Sequence, residues 1–226
     1  MRLLTPRHGA AAAFAKASRP ASGTPWKEAR WCALDLELTG LDPRRDGIIA
    51  IGAVPIEDGR IILGRAYYTL VRSSKRSERD AVLLHKLRVP DLAGAPPLDA
   101  ALDVVFEMLS GRVPVFHTAA VERTFLRPGF ARRRVRFPAA VDTEPLGRVL
   151  LGRREGLAPA RLPLGKLASV LGLAPEPAHH ALGDALTTAS VFIALATHLD
   201  AIEPQTVGTL LSAGGQLQGA RRLGPG

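Results

Sequence analysis

Asp35 and Glu37 are two acids separated by a single residue, in the run Trp31 to Leu38 that reads as a strand. Side chains alternate across a strand, so both carboxylates point to one face and Leu34, Leu36 and Leu38 point to the other. Adjacent carboxylates repel, and they persist only where solvent or a cation offsets the charge. A hard divalent ion such as Mg²⁺ or Mn²⁺, which takes oxygen ligands, does this well. The plainer alternative is a pair of acids on a solvated sheet face. Asp184 lies near the start of a predicted helix, where the helix dipole favours a negative charge. His179, five residues earlier, falls in the loop before that helix. Glu122 lies about one turn into another predicted helix. Taken singly, Glu122 is an ordinary helix-surface acid and His179 a cap or surface residue; they gain force only beside Asp35, Glu37 and Asp184. The six histidines are scattered, and no Cys/His spacing of a zinc site occurs.

These residues need elements to hold them. After the first strand, Gly40, Pro43 and Gly47 punctuate a gap before a second strand, Ile48 to Ile56. Glu57-Asp58-Gly59 turns the chain into a third, Arg60 to Val71, completing an antiparallel meander. The charged stretch Arg72 to Arg79 reads as a solvated loop. Leu98, Leu102, Val105, Phe106 and Leu109 have the spacing of an amphipathic helix over Leu98 to Leu109. Short strands follow at Val113 to Phe116 and Ala139 to Val141. The helix carrying Glu122 is expected to start just after His117-Thr118, with Thr118 as its cap. Helices are also expected at Leu164 to Leu171 and Ala181 to Leu199. Three strands together, then helices alternating with single strands, indicate an α/β layered fold around a mixed sheet.

The segments resemble the DEDDh exonucleases, the family of ribonuclease T and of the proofreading subunit of bacterial DNA polymerase III. Asp35-Leu36-Glu37-Leu38-Thr39-Gly40-Leu41 is similar to the first family motif, Ile51-Gly52-Ala53 to the strand that follows, and His117 to Leu126 to the second motif. His179-His180-Ala181-Leu182-Gly183-Asp184-Ala185 matches the third, and the likeness spans Trp31 to Leu199. Two positions depart from the pattern: Glu122 stands where Asp is usual, and Leu38 where Thr is common. The resemblance implies an RNase H-like α/β fold, a mixed five-stranded sheet with helices on both faces. It implies 3′→5′ hydrolysis of phosphodiester bonds with two divalent cations, Mg²⁺ or Mn²⁺, releasing nucleoside 5′-monophosphates. Asp35 would bridge both ions, Glu37 and Asp184 would hold one, and Glu122 would act on the other. His179 would be the base, a role that suits imidazole at neutral pH. Leu38, Thr39, Gly40 and His117 would contact the strand. A catalytically weak or inactive nucleic-acid-binding module of the same fold is the alternative, and a metal-independent interaction domain is a second.

The chain has 226 residues, 46% hydrophobic, enough for one sizeable core. One domain is expected over 28–200, between a basic flexible tail at 1–27 and a flexible C-terminal tail at 201–226. No apolar run approaches the ~20 residues of a membrane helix, so no membrane partner is expected. The formal net charge of +9 points to a polyanionic partner, nucleic acid first and a membrane surface second; the resemblance implies single-stranded DNA or RNA 3′ ends. Arg127, Arg132, Arg133, Arg134 and Arg136 follow the second motif without an intervening acid, and could line the strand's approach or form a solvated basic face. A polymerase or a second copy of the chain is a candidate partner. A single cysteine, Cys32, excludes an internal disulfide and fits a reducing compartment, so a cytoplasmic location is expected.

Overall fold

A computed structural model describes residues 9–73, 75, 81, 83, 85–156 and 159–215. Its centre is a six-stranded mixed sheet: β1 (Trp31–Leu38), β2 (Ile48–Glu57), β3 (Arg60–Ile61), β4 (Tyr67–Leu70), β5 (Val113–Phe116) and β6 (Val141–Asp142). The order is β3-β2-β1-β5-β6, with β4 also pairing with β2. The first four strands are antiparallel, whereas β5 and β6 join parallel to β1 through helical crossovers. The expected third strand is two short strands because Leu63–Arg65 coils into a single 3₁₀ turn between them, which raises the count from five to six.

Helices cover both faces. One face packs α1 (Ala10–Lys16), α2 (Leu98–Leu109) and α3 (Ala120–Arg132) onto Cys32, Leu34, Leu36 and Leu38. The other packs α4 (Thr143–Glu155), α5 (Leu164–Val170), α6 (Ala181–Asp200) and α7 (Val207–Gly215) onto Trp31, Ala33, Val54 and Ile56. The alternation of β1 thus separates two cores, and Asp35 and Glu37 lie on the α6 side at the strand's end.

Four expectations need correction. Residues 9–27 are not a tail: Ala11 and Phe14 of α1 are buried against α2, with the Phe14 ring 5.5 Å from that of Phe106. Trp26 is buried beside Phe192. Residues 201–215 are likewise built in, since Val207 and Leu210 of α7 are buried and a bridge pairs Pro25 with Thr206. Residues 1–8 and 216–226 lie outside the described residues, as do 74 and 76–79 of the expected charged loop. Thr118 does not cap α3: it has φ 62°, and the capping position falls to Ala119, which makes no side-chain cap bond. Finally, α6 is 20 residues long and apolar enough, on length and composition alone, to cross a membrane. Ala185, Ala189, Phe192, Leu195 and Ala196 are instead its buried contribution to the core.

Candidate active site

The register of the sheet sets the site. Asp35 on β1 pairs with Gly52 on β2, and Gly52 pairs with Tyr68 on β4. Cross-strand partners share a face, so this row would carry three side chains toward α6 if the middle residue were not glycine. A Cβ on Gly52 would come 2.1 Å from the carbonyl oxygen of Ala181 and 2.6 Å from the amide nitrogen of Leu182. The first turn of α6 therefore rests directly on the β2 backbone, which brings Asp184 to β1. Ligand oxygens of Asp35, Glu37 and Asp184 all lie within 4.8 Å of one another.

The acids resist ionisation as they stand. Burial, then the charges of Glu122, Asp184 and Glu37, push the Asp35 carboxyl well above its ordinary range. Burial, and then Asp184, raise Glu37 to about 7. Burial raises Asp184 too, opposed chiefly by the His179 backbone N–H, which donates to its Oδ2 at 2.8 Å. Glu122 is in the first turn of α3 and buried, and burial pushes it up to about 8. Its Oε2 atom is buried and has no hydrogen-bond partner. Crowded, desolvated carboxylates of this kind ionise when a cation sits among them. All are hard oxygen donors, and an orphaned carboxylate oxygen is available; the residues present fit a divalent ion of the Mg²⁺ or Mn²⁺ type.

His179 is exposed, with φ 65°, on the loop leading into α6. His180 caps that helix, its Nδ1 accepting from the Gly183 N–H at 3.4 Å. Two residues of this neighbourhood escaped the sequence reading. Asp142, the N-cap of α4, accepts backbone N–H bonds from Glu144 at 3.0 Å, Thr118 at 3.0 Å and Ala119 at 2.9 Å. It ties the start of α3, and so Glu122, to the start of α4; burial nonetheless raises it to about 6. Asp142-Thr143 at the head of a helical stretch was the available signal. The other is His85, buried, with its Nδ1 accepting from the Leu87 N–H at 3.0 Å. Burial, and then the nearness of His179, lower its basicity. Nothing in its local sequence marks it.

The expected strand contacts divide. Thr39 is buried with its hydroxyl turned inward, donating to Asp46 Oδ1 at 3.0 Å and accepting from the Gly47 N–H at 3.1 Å. A Cβ on Gly40 would meet the Asp46 carboxylate at 2.5 Å. Thr39 and Gly40 thus shape the loop after β1, and Leu38 is itself buried. His117 is half-buried, hydrogen-bonded through Nδ1 to the Thr143 hydroxyl at 2.8 Å, and pushed down to about 4 by burial. Arg133 is committed to α2: it pairs with Asp103, bonds the Asp99 carbonyl at 3.0 Å, and its neighbour Arg132 approaches Asp99 at 3.6 Å. Arg134 is exposed. Arg132 also lines a groove of about 260 Å³ with Arg72, Lys75, Phe125 and Pro128. That groove runs through Thr124 and Pro128 into a second, flanked by Arg123 and Arg127.

A mixed sheet clad on both faces, with acids from β1, α3 and α6 gathered at one end of its central strand, defines an RNase H-like nuclease. The exonuclease family model of ribonuclease T matches residues 32–192, and the chain belongs to that family. It is 32% identical over 174 residues to a PolC-type DNA polymerase III of Thermotoga petrophila, covering 74% of this chain and 12% of that protein. A DNA polymerase III subunit epsilon-like protein of Rhodobacter capsulatus is 32% identical over 193 residues, covering 84% of this chain and 27% of its own. The chain therefore spans about a quarter or less of the length of these relatives. Among solved structures, E. coli Exonuclease I in complex with a dA16 oligonucleotide superposes with a TM-score of 0.65 at 16% identity, over 76% of this chain and 42% of that one. Exonuclease X in complex with 5′ overhanging duplex DNA gives 0.59 at 21% identity, over 82% and 99%. These likenesses show that the chain shares their fold.

Proposed function

We propose that this chain removes nucleotides one at a time from the 3′ end of a single-stranded DNA or RNA, by divalent-metal-dependent hydrolysis that releases nucleoside 5′-monophosphates. The observation that carries the reading is the meeting of Asp35, Glu37 and Asp184 within 4.8 Å, from elements far apart in the chain. When bound, a pair of Mg²⁺ or Mn²⁺ ions supplies positive charge to the attacking and leaving oxygens. Asp35, Glu37 and Asp184 would hold one ion; Asp35 and Glu122 would serve the other. The His179 imidazole takes the proton from the attacking water, and the exposed loop that carries it gives the ring room to reach that water. The Asp184–His179 backbone bond places that loop beside the acids. The groove bearing Arg72, Lys75 and Arg132, continued past Arg123 and Arg127, offers a basic track for the strand's phosphates. One observation favours a weakly active or inactive binding module instead: Glu122, longer than the usual Asp, is buried and leaves its Oε2 without a hydrogen bond.

The deciding experiment uses single-stranded DNA and RNA oligonucleotides labelled at the 5′ end or the 3′ end, with Mg²⁺, Mn²⁺ or EDTA. The reading requires a shrinking ladder from the 5′-labelled probe, immediate release of labelled mononucleotide from the 3′-labelled one, and no product in EDTA. Mononucleotide released first from the 5′ end, or cleavage undiminished in EDTA, overturns it. Binding without cleavage under every condition selects the alternative.

A further inference from the structure

We infer that Tyr68 and His180 are positioning residues: their stacked rings clamp the loop that presents His179 to the acid cluster. The inference rests on His179 acting as the base, and it begins with the row Asp35–Gly52–Tyr68 across three strands. The missing side chain at Gly52 is the seat of the first turn of α6. That turn is therefore flanked by Asp35 on one side and Tyr68 on the other. Asp184 reaches Asp35 on the first side. On the second, the His180 ring lies over the Tyr68 ring, with centroids 4.6 Å apart and planes inclined by 22°.

The clamp has work to do. His179 holds φ 65°, a left-handed backbone that a residue with a Cβ adopts only against its preference. Such a conformation survives where its surroundings over-determine it. The His179 N–H is held by Asp184 Oδ2 at 2.8 Å. The side chain of the next residue is held twice: His180 Nδ1 caps α6 through the Gly183 N–H, and its ring face is covered by Tyr68. Without the stack, the exposed His180 side chain keeps only its long cap bond of 3.4 Å, the His180 carbonyl alone stays fixed by the Asp184 N–H at 2.9 Å, and the kink at His179 can unwind into a more favourable backbone. Tyr68 also stands close enough to the cluster for the Glu37 charge, after burial, to raise its hydroxyl above the ordinary range. The stack itself needs the ring and not the hydroxyl.

Three variants separate these roles. Tyr68→Leu removes the ring and keeps apolar bulk; Tyr68→Phe keeps the stack; His180→Asn keeps a good helix cap and removes the ring. On a 5′-labelled single strand with Mn²⁺, Tyr68→Leu and His180→Asn should lower kcat about tenfold, with KM changed less than about twofold, since misplacing a catalytic group by an ångström is enough for losses of this order. Tyr68→Phe should stay within about twofold of wild type. In a His179→Ala background, Tyr68→Leu should change kcat less than about twofold, because residues that act through one another are not additive. Hydrogen exchange at the His179 amide, read by NMR on the protein in EDTA, should speed up at least about tenfold in Tyr68→Leu. This readout stands even if His179 proves not to be the base. Unchanged amide protection in both Tyr68→Leu and His180→Asn overturns the clamp, as does an equal loss of kcat with and without His179, or a Tyr68→Phe variant as slow as Tyr68→Leu. If Tyr68→Leu does not fold, His180→Asn carries the same three tests.

Discussion

Replacing Gly52 by alanine adds one methyl group and should nearly silence the enzyme while leaving it folded. The added Cβ would lie 2.1 Å from Ala181 O, 2.3 Å from Ala181 C and 2.6 Å from Leu182 N, all backbone atoms with no rotamer to yield. The start of α6 must retreat by about 1 Å before contacts become tolerable, and Asp184 and the His179 loop retreat with it; a misplacement of that size costs on the order of 10²-fold in rate. The same overpacking costs about 1–3 kcal/mol of stability, or roughly 2–12 °C in Tm for a chain of this size. Gly64→Ala is the matched control, since its Cβ would meet nothing within 4 Å. Turnover of a 5′-labelled single strand in Mn²⁺ and the Mn²⁺-induced rise in Tm are measured for both. The reasoning predicts that Gly52→Ala loses about 10²-fold in kcat and most of the Mn²⁺ stabilisation, while Gly64→Ala keeps both. Wild-type turnover in Gly52→Ala would refute the claim that this seat brings Asp184 to Asp35.

In EDTA the protein should grow less stable as pH rises from about 4 to about 8. Asp142, Glu37 and Glu122 are held at about 6, 7 and 8, above their ordinary values of 3.8, 4.5 and 4.5, so the folded state binds protons more tightly than the unfolded one. That stabilisation is complete below the unfolded values and lost as pH passes through the folded ones; Glu122→Gln should flatten the upper part of the Tm curve, and an unchanged curve would contradict the assignment. Glu122→Asp shortens the side chain to the family's usual acid, and should change both turnover and the Mn²⁺ to Mg²⁺ preference; if it changes neither, Glu122 is not at the ions. Arg123→Ala with Arg127→Ala should reduce the slope of log affinity against log salt by about 0.7 per arginine. Arg133→Ala should leave that slope alone and cost up to about 1 kcal/mol in thermal stability through its broken pairs with α2.

The elements that carry the site were legible where periodicity is strong. Alternation over Trp31–Leu38 gave the strand and the common face of Asp35 and Glu37, and the helical spacing of Leu98–Leu109 gave α2 to the residue. Composition misled at the ends: an alanine-rich, acid-free stretch reads as a tail, but Phe14 packed against both Phe106 and Phe130 is enough to fold it onto the core. Side-chain direction at a strand end is decided by loop closure, so Thr39 could not be seen turning inward to Asp46. Nor does the sequence show that the chief duty of Gly52 is to leave room for a helix start 129 positions on, at Ala181. Asp142 is written in the chain as a cap; only its three amide bonds reveal that it also steadies Glu122.

Cys32, the one cysteine of the chain, is fully buried in β1, three residues before Asp35, and burial holds its thiol at about 12. A thiol so suppressed reacts with a soluble disulfide reagent only when the middle of the sheet comes apart. The native molecule thus carries its own gauge of that opening, with no label to engineer. Because an ion that binds only the closed form lowers the open population by a factor of one plus the ratio of its concentration to its dissociation constant, Mn²⁺ at about a hundred times that constant should retard the modification of Cys32 by about a hundredfold. A reaction rate at this sulphur that ignores the ion would mean that the ion does not bind the closed form in preference to the open one.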